Sequence, residues 1–164
     1  MLRRMEVHST LALVHKLQST HNGFPADVME TIASGPAEVL VVEDDENTRA
    51  LVVSALQVGG FGCRGVADSA GMRAALASAD AHIVLLDLNL GEEDGLDLAR
   101  ELRDTHPRVG LVIMTVRGLV EERIEGLARG ADAYLIKPVD MRELVVVIRN
   151  LYQRQFAQGP LVFQ

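Results

Sequence analysis

From residue 39 onward the chain alternates between two hydrophobic patterns. Short runs of Val, Ile and Leu that are apolar at nearly every position predict strands at Val39–Glu43, Ile83–Asp87, Val109–Thr115 and Tyr134–Ile136, with a weaker one around Phe61–Val66. A run apolar on both faces fits a parallel strand covered by helices on each side. Between the runs the spacing changes to three and four. A helix carries Leu51, Val52, Ala55 and Leu56 and ends at Gly59-Gly60, a common helix stop. A second opens at Asp68-Ser69 and is alanine-rich through Ala79. After a loop over Leu90–Glu93, Gly95–Thr105 places Leu96, Ala99 and Leu102 on one face and stops before Pro107. A fourth helix carries Val120, Ile124 and Leu127 and closes at Gly130. Beyond Pro138, Asp140 and Glu143 have capping-box spacing at the start of a fifth.

Five strand–helix units of about 20–25 residues predict an α/β fold, a doubly wound five-stranded parallel sheet with helices on both faces. Right-handed crossovers leave the flavodoxin-like order 2-1-3-4-5 as the expected topology. The domain is expected over residues 38–155. Residues 1–37 read as an N-terminal extension, with a weak helical pattern at Leu11, Val14 and Leu17 and a Gly35-Pro36 linker. His8, His15 and His21 are spaced seven and six apart, which does not place them on one helical face as metal ligands. Residues 156–164, ending GPLVFQ, read as a linker or the start of an output domain.

Composition narrows the function classes. In 164 residues the hydrophobic content is 48%, enough for a core, and there is no Trp. The net charge of −7 argues against direct binding of nucleic acid or an anionic membrane. The single cysteine, Cys63, excludes an intrachain disulfide and reads as a small buried hydrophobe. Nothing approaches the ~20 apolar residues of a bilayer span, and the N-terminus does not read as a signal peptide. The expected location is cytoplasmic.

Parallel strands deliver their C-terminal ends to one edge, where ligands bind. Glu43, Asp44, Asp87, Thr115 and Lys137 are therefore predicted to converge. Two unit charges 5 Å apart at an effective dielectric near 20 repel by about 3 kcal/mol. Three carboxylates together thus call for protonation, a cationic partner or a metal. An all-oxygen set suits Mg²⁺, and Lys137 adds a fixed positive charge. The arrangement fits a carboxylate nucleophile for phosphoryl transfer, with Asp87 best placed. A haloacid-dehalogenase-like phosphatase would want a second acid two residues after the nucleophile, where Asn89 stands. A flavodoxin-like carrier must cradle a phosphate in its first loop, where the acidic EDDE would repel it.

With these motifs in order, the stretch from Val39 to about Gln155 resembles the receiver domain of two-component response regulators. The resemblance implies that Glu43 and Asp44 are the acidic pair, with Asp44 a direct Mg²⁺ ligand. It implies that Asp87 is the phosphoacceptor and that the backbone carbonyl of Asn89 is a further metal ligand. Thr115 matches the switch hydroxyl, Tyr134 the switch aromatic, and Lys137 the family's lysine, followed by a peptide that is typically cis. The implied partner is a sensor histidine kinase, and the implied role is a signalling switch, not an enzyme. Gly91 stands where a proline is usual, and Val116 where a smaller alanine is commoner. Asn89 and Arg117 occupy variable positions.

The segment Val116–Leu151 also resembles receivers attached to winged-helix DNA-binding domains. Those dimerise through the fourth helix, fifth strand and fifth helix using three ion pairs. Arg123 and Glu143 match one pair. A second is replaced by Ala133 and Val147, and a third retains Arg149 opposite Ala128. A phosphorylation-dependent homodimer is the expected assembly. DNA would be reached through an output domain; the alternative is a stand-alone receiver acting by protein contact.

Overall fold

A computed structural model describes residues 36–157. Among these, five parallel strands form the predicted sheet. They are β1 (Glu38–Val42), β2 (Gly62–Val66), β3 (Ile83–Leu86), β4 (Gly110–Thr115) and β5 (Ala133–Ile136), in the order β2-β1-β3-β4-β5. The helices are α1 (Glu46–Val58), α2 (Ser69–Ser78), α3 (Gly95–Thr105), α4 (Val120–Ala128) and α5 (Met141–Tyr152). The π-helical turn Gln153–Ala157 follows α5. The sequence features of residues 1–35 and 158–164, including the three N-terminal histidines, lie outside the described residues.

Alternation along each strand divides the core between the two faces of the sheet. Val39, Val41, Ile83, Leu85, Val112 and Met114 pack against Val52 and Leu56 of α1 and Leu144, Ile148 and Leu151 of α5. Leu40, Val42, Val84, Leu86 and Leu111 face Met72 and Leu76 of α2 and Leu98, Ala99 and Leu102 of α3. Phe156 packs on the first cluster. Cys63 is half-buried, and burial pushes its thiol up to about 12.

Helix starts follow capping chemistry. Asp45, Asp68, Asp94 and Asp140 each accept a backbone N–H in the first turn of the helix they precede. At α5 the bond comes from the Arg142 N–H at 2.8 Å. Arg142 also clasps the same carboxylate and holds Asp140 down to about 2.

Two local features differ from the pattern in the sequence. The predicted loop at Leu90–Glu93 is the turn of a short antiparallel hairpin pairing Asn89 with Asp94 and Leu90 with Glu93. Gly91 has φ +65, the left-handed region that primed hairpin turns use and proline cannot enter. The other concerns α4, whose Val120, Ile124 and Leu127 stripe points outward at 61%, 61% and 46% exposure. The buried residue of that helix is Gly126. Val116 and Leu119 extend the exposed apolar surface.

Candidate functional site

The register of the sheet brings the acids together. Val42 pairs with Leu86, so Glu43 and Asp87, each one residue past its strand, emerge side by side. The Asp87 N–H donates to the Val42 carbonyl at 3.0 Å, and the Glu43 N–H to Val66 at 3.0 Å. Both side chains are buried, Glu43 at 1% and Asp87 at 6% exposure. Asp44 is exposed, yet one oxygen from each of Glu43, Asp44 and Asp87 lies within 4.8 Å of the others. The third acid of the Glu43–Glu46 run, Asp45, caps α1 by accepting the Thr48 N–H at 2.7 Å.

Lys137 answers this charge from the end of β5. Its Nζ donates to Glu43 Oε1 at 2.5 Å and to Asp87 Oδ2 at 2.8 Å. Burial is the largest influence on Glu43 and pushes its carboxyl above the ordinary value, despite the bond from Lys137. Burial alone would lower the Lys137 ammonium, but its bonds to Asp87 and Glu43 outweigh that and raise it. The Lys137 N–H donates to the Thr115 carbonyl at 2.8 Å, fixing the two strand ends together. The Lys137–Pro138 peptide is cis. Thr115 is fully buried at the end of β4.

Tyr134 is half-buried beside Leu88, Leu96 and Ile113. Its ring lies close against Gly126 of α4, where an added Cβ would come within 2.8 Å of ring carbon Cε2. Its hydroxyl donates to the Arg117 carbonyl at 2.7 Å, and burial raises its pKa. Glu43, Asp44, Asp87 and Lys137 thus form one contiguous cluster. Thr115 adjoins it through Lys137, and Tyr134 belongs to the neighbouring β4–α4 layer.

Several contacts that support the site were not visible in the sequence. Arg49 Nη1 donates to the Glu43 carbonyl at 2.8 Å, steadying the acidic loop. The Asn89 N–H donates to Asp87 Oδ1 at 2.9 Å, and the Asn89 side chain accepts from Arg117 Nε at 2.8 Å. Glu93 accepts from the Ser69 N–H at 3.0 Å and from its hydroxyl, tying the hairpin to the start of α2. The Asn89–Asp87 bond is local, two residues apart, but no short motif announces the others, which join residues 6 to 28 apart. The N-terminal position of Ser69 in its helix was the one available signal.

A buried acid pair, an exposed third acid and a shared ammonium can hold a hard cation and present a carboxylate oxygen to an electrophile. Among the described residues, no helix is long and apolar enough to cross a membrane. The sequence pattern of the response regulator receiver domain matches residues 39–149. The chain is 39% identical over 119 residues to the TorCAD operon transcriptional regulatory protein TorR of Escherichia coli (strain K12), covering 73% of this chain and 51% of that protein. It is 37% identical over 123 residues to Protein PetR of Rhodobacter capsulatus, covering 75% and 52%. The chain therefore spans about half the length of these curated relatives. The crystal structure of the TorR receiver domain superposes with a TM-score of 0.69 at 38% identity, covering 73% of this chain and 99% of that one. A CheY-like receiver domain protein from Methanospirillum hungatei JF-1 shares the fold at a TM-score of 0.71 and 24% identity, covering 76% and 100%. With the matched pattern spanning most of the chain, this protein belongs to the response regulator receiver family.

Proposed function

We propose that Asp87 accepts a phosphoryl group from a histidine kinase and that the modification resets the surface formed by α4, β5 and α5. The observation that carries this reading is the shared ammonium: Lys137 holds Asp87 and Glu43 with one nitrogen, beside a third carboxylate. One positive charge against three acids leaves room for a divalent cation. The all-oxygen donor set fits Mg²⁺, with Glu43, Asp44, Asp87 and the Asn89 backbone carbonyl as its holders. When bound, Mg²⁺ would offset charge on the phosphoryl oxygens.

The remaining chemistry belongs to the chain. An Asp87 carboxylate oxygen attacks phosphorus, a P–O bond forms, and the P–N bond of the donor phosphohistidine breaks. The electron pair leaves with the imidazole, which takes up a proton. Lys137, already beside Asp87, stays paired with the added negative charge. Thr115 supplies the hydroxyl that bonds the phosphoryl group, and Tyr134 follows that movement as the second switch residue.

The altered face controls a transcription-regulating, DNA-binding output domain, a reading supported by the relative named a transcriptional regulatory protein. The exposed Leu119, Val120 and Ile124 favour a homodimer as the activated species. In this account the protein is a cytoplasmic switch with its domain over residues 38–155. Titrating Mg²⁺ during labelling with acetyl phosphate tests the site. Labelling should require the cation and need more of it in Asp44→Asn, whereas equal labelling in chelator contradicts the proposal.

A further inference from the structure

A continuous run of hydrogen bonds leads from Asp87 to Tyr134 without passing through the Thr115 hydroxyl. The Asn89 N–H donates to Asp87 Oδ1 (2.9 Å), Arg117 Nε donates to Asn89 Oδ1 (2.8 Å), and the Tyr134 hydroxyl donates to the Arg117 carbonyl (2.7 Å). Arg117 is the joint of this run. Its side chain grips the hairpin while its backbone receives Tyr134. The guanidinium is further anchored by the Leu88 carbonyl at 3.2 Å and by Asp94 Oδ1 at 3.5 Å. A planar fork held at several points is stiff, so little motion is lost between its two ends. By contrast, the Arg117 N–H reaches Thr115 Oγ1 only at 3.5 Å.

We propose that Arg117 is a positioning residue that couples the state of Asp87 to the seat of Tyr134 through Asn89, in parallel with Thr115. The inference rests on the phosphoryl reading of Asp87. Its physical basis is the change in acceptor strength at Asp87 Oδ1. In the free carboxylate this oxygen shares a full negative charge, and the bond from Asn89 is charge-assisted. Phosphorylation of Asp87 leaves Oδ1 as either a neutral carbonyl or the bridging oxygen, in each case a weaker acceptor. The hold on Asn89 relaxes, the hairpin shifts against the guanidinium, and the carbonyl that seats Tyr134 moves with it. Tyr134 lies against Gly126, so the displacement is delivered to α4.

The test uses the full chain labelled with 3-fluorotyrosine and read by fluorine NMR, with and without Mg²⁺ and beryllofluoride. The two tyrosines, Tyr134 and Tyr152, are assigned with Tyr152→Phe. In Arg117→Ala the Tyr134 signal should move in the free protein while that of Tyr152 stays. The Tyr134 response to beryllofluoride should fall by more than half. Arg117→Lys should restore part of that response. Asn89→Ala, which keeps the backbone N–H and carbonyl, should reproduce the loss with an unchanged melting temperature. An undiminished Tyr134 response in folded Arg117→Ala or Asn89→Ala overturns the coupling. A wild-type protein with no beryllofluoride response would instead overturn the phosphoryl reading beneath it, before any variant is compared.

Discussion

Lys137 and Asp87 lie 50 residues apart in sequence and 2.8 Å apart in space, and the same ammonium also binds Glu43. The lysine side chain is 20% exposed and the two acids are nearly sealed, so the pairing is screened weakly by water. Removing the ammonium leaves two buried carboxylates facing each other. Lys137→Met should therefore lower stability by about 3–5 kcal/mol, the scale of a broken buried ion pair. Adding Glu43→Gln should recover much of that loss, as measured by urea unfolding of the single and double variants. Additive effects would show that the pairing is not what holds these strand ends together.

Gly126 sets two effects against each other. Alanine in a helix interior is favoured over glycine by about 1 kcal/mol. Here its Cβ would meet Tyr134 Cε2 at 2.8 Å, and overpacking of this kind costs about 1–3 kcal/mol. Gly126→Ala should thus be destabilising by roughly 1 kcal/mol and should change the near-ultraviolet circular dichroism of the tyrosines. A stabilised variant with an unchanged spectrum would mean that the ring yields freely.

The Asp140 cap gives a pH signature. Its bonds to Arg142 hold the carboxyl at about 2, against an ordinary 3.8. A depressed carboxyl pKa contributes stability that is present above the unfolded value and lost as pH falls through the folded one. The melting-temperature gap between wild type and Asp140→Ala should be constant above pH 4 and shrink between about 4 and 2. A gap that widened on acidification would contradict the assignment.

Ala133 and Val147 replace a charged pair in the resembled dimer contact, while Arg123 and Glu143 remain. Dimers of the beryllofluoride-bound protein should therefore tolerate salt well, and Ile124→Asp should abolish them. Sedimentation across a salt series reads both. Steep dissociation with salt would mean that ion pairs dominate the contact.

Much of this was legible in the chain. Strands apolar on both faces gave the topology, and the polar residue closing each run gave Glu43, Asp87, Thr115 and Lys137, because a parallel sheet sends those ends to one edge. Asp140 and Asp68 were recognisable as caps from local chemistry. The hairpin at Asn89–Asp94 was not, since two-residue strands have no periodicity to detect. The outward stripe of α4 looks like any core stripe in sequence. Which way it faces is decided by the approach of Gly126 to Tyr134, a tertiary fact. The grip of Arg117 on Asn89 likewise depends on where two loops meet.

Intact-mass measurement after incubation with acetyl phosphate and Mg²⁺ tests most directly whether Asp87 is the residue modified. Wild type should gain the mass of one phosphoryl group, in a bond that alkaline hydroxylamine cleaves as it cleaves acyl phosphates, and Asp87→Asn should gain none. A folded Asp87→Asn protein that is modified as fully as wild type would contradict the account.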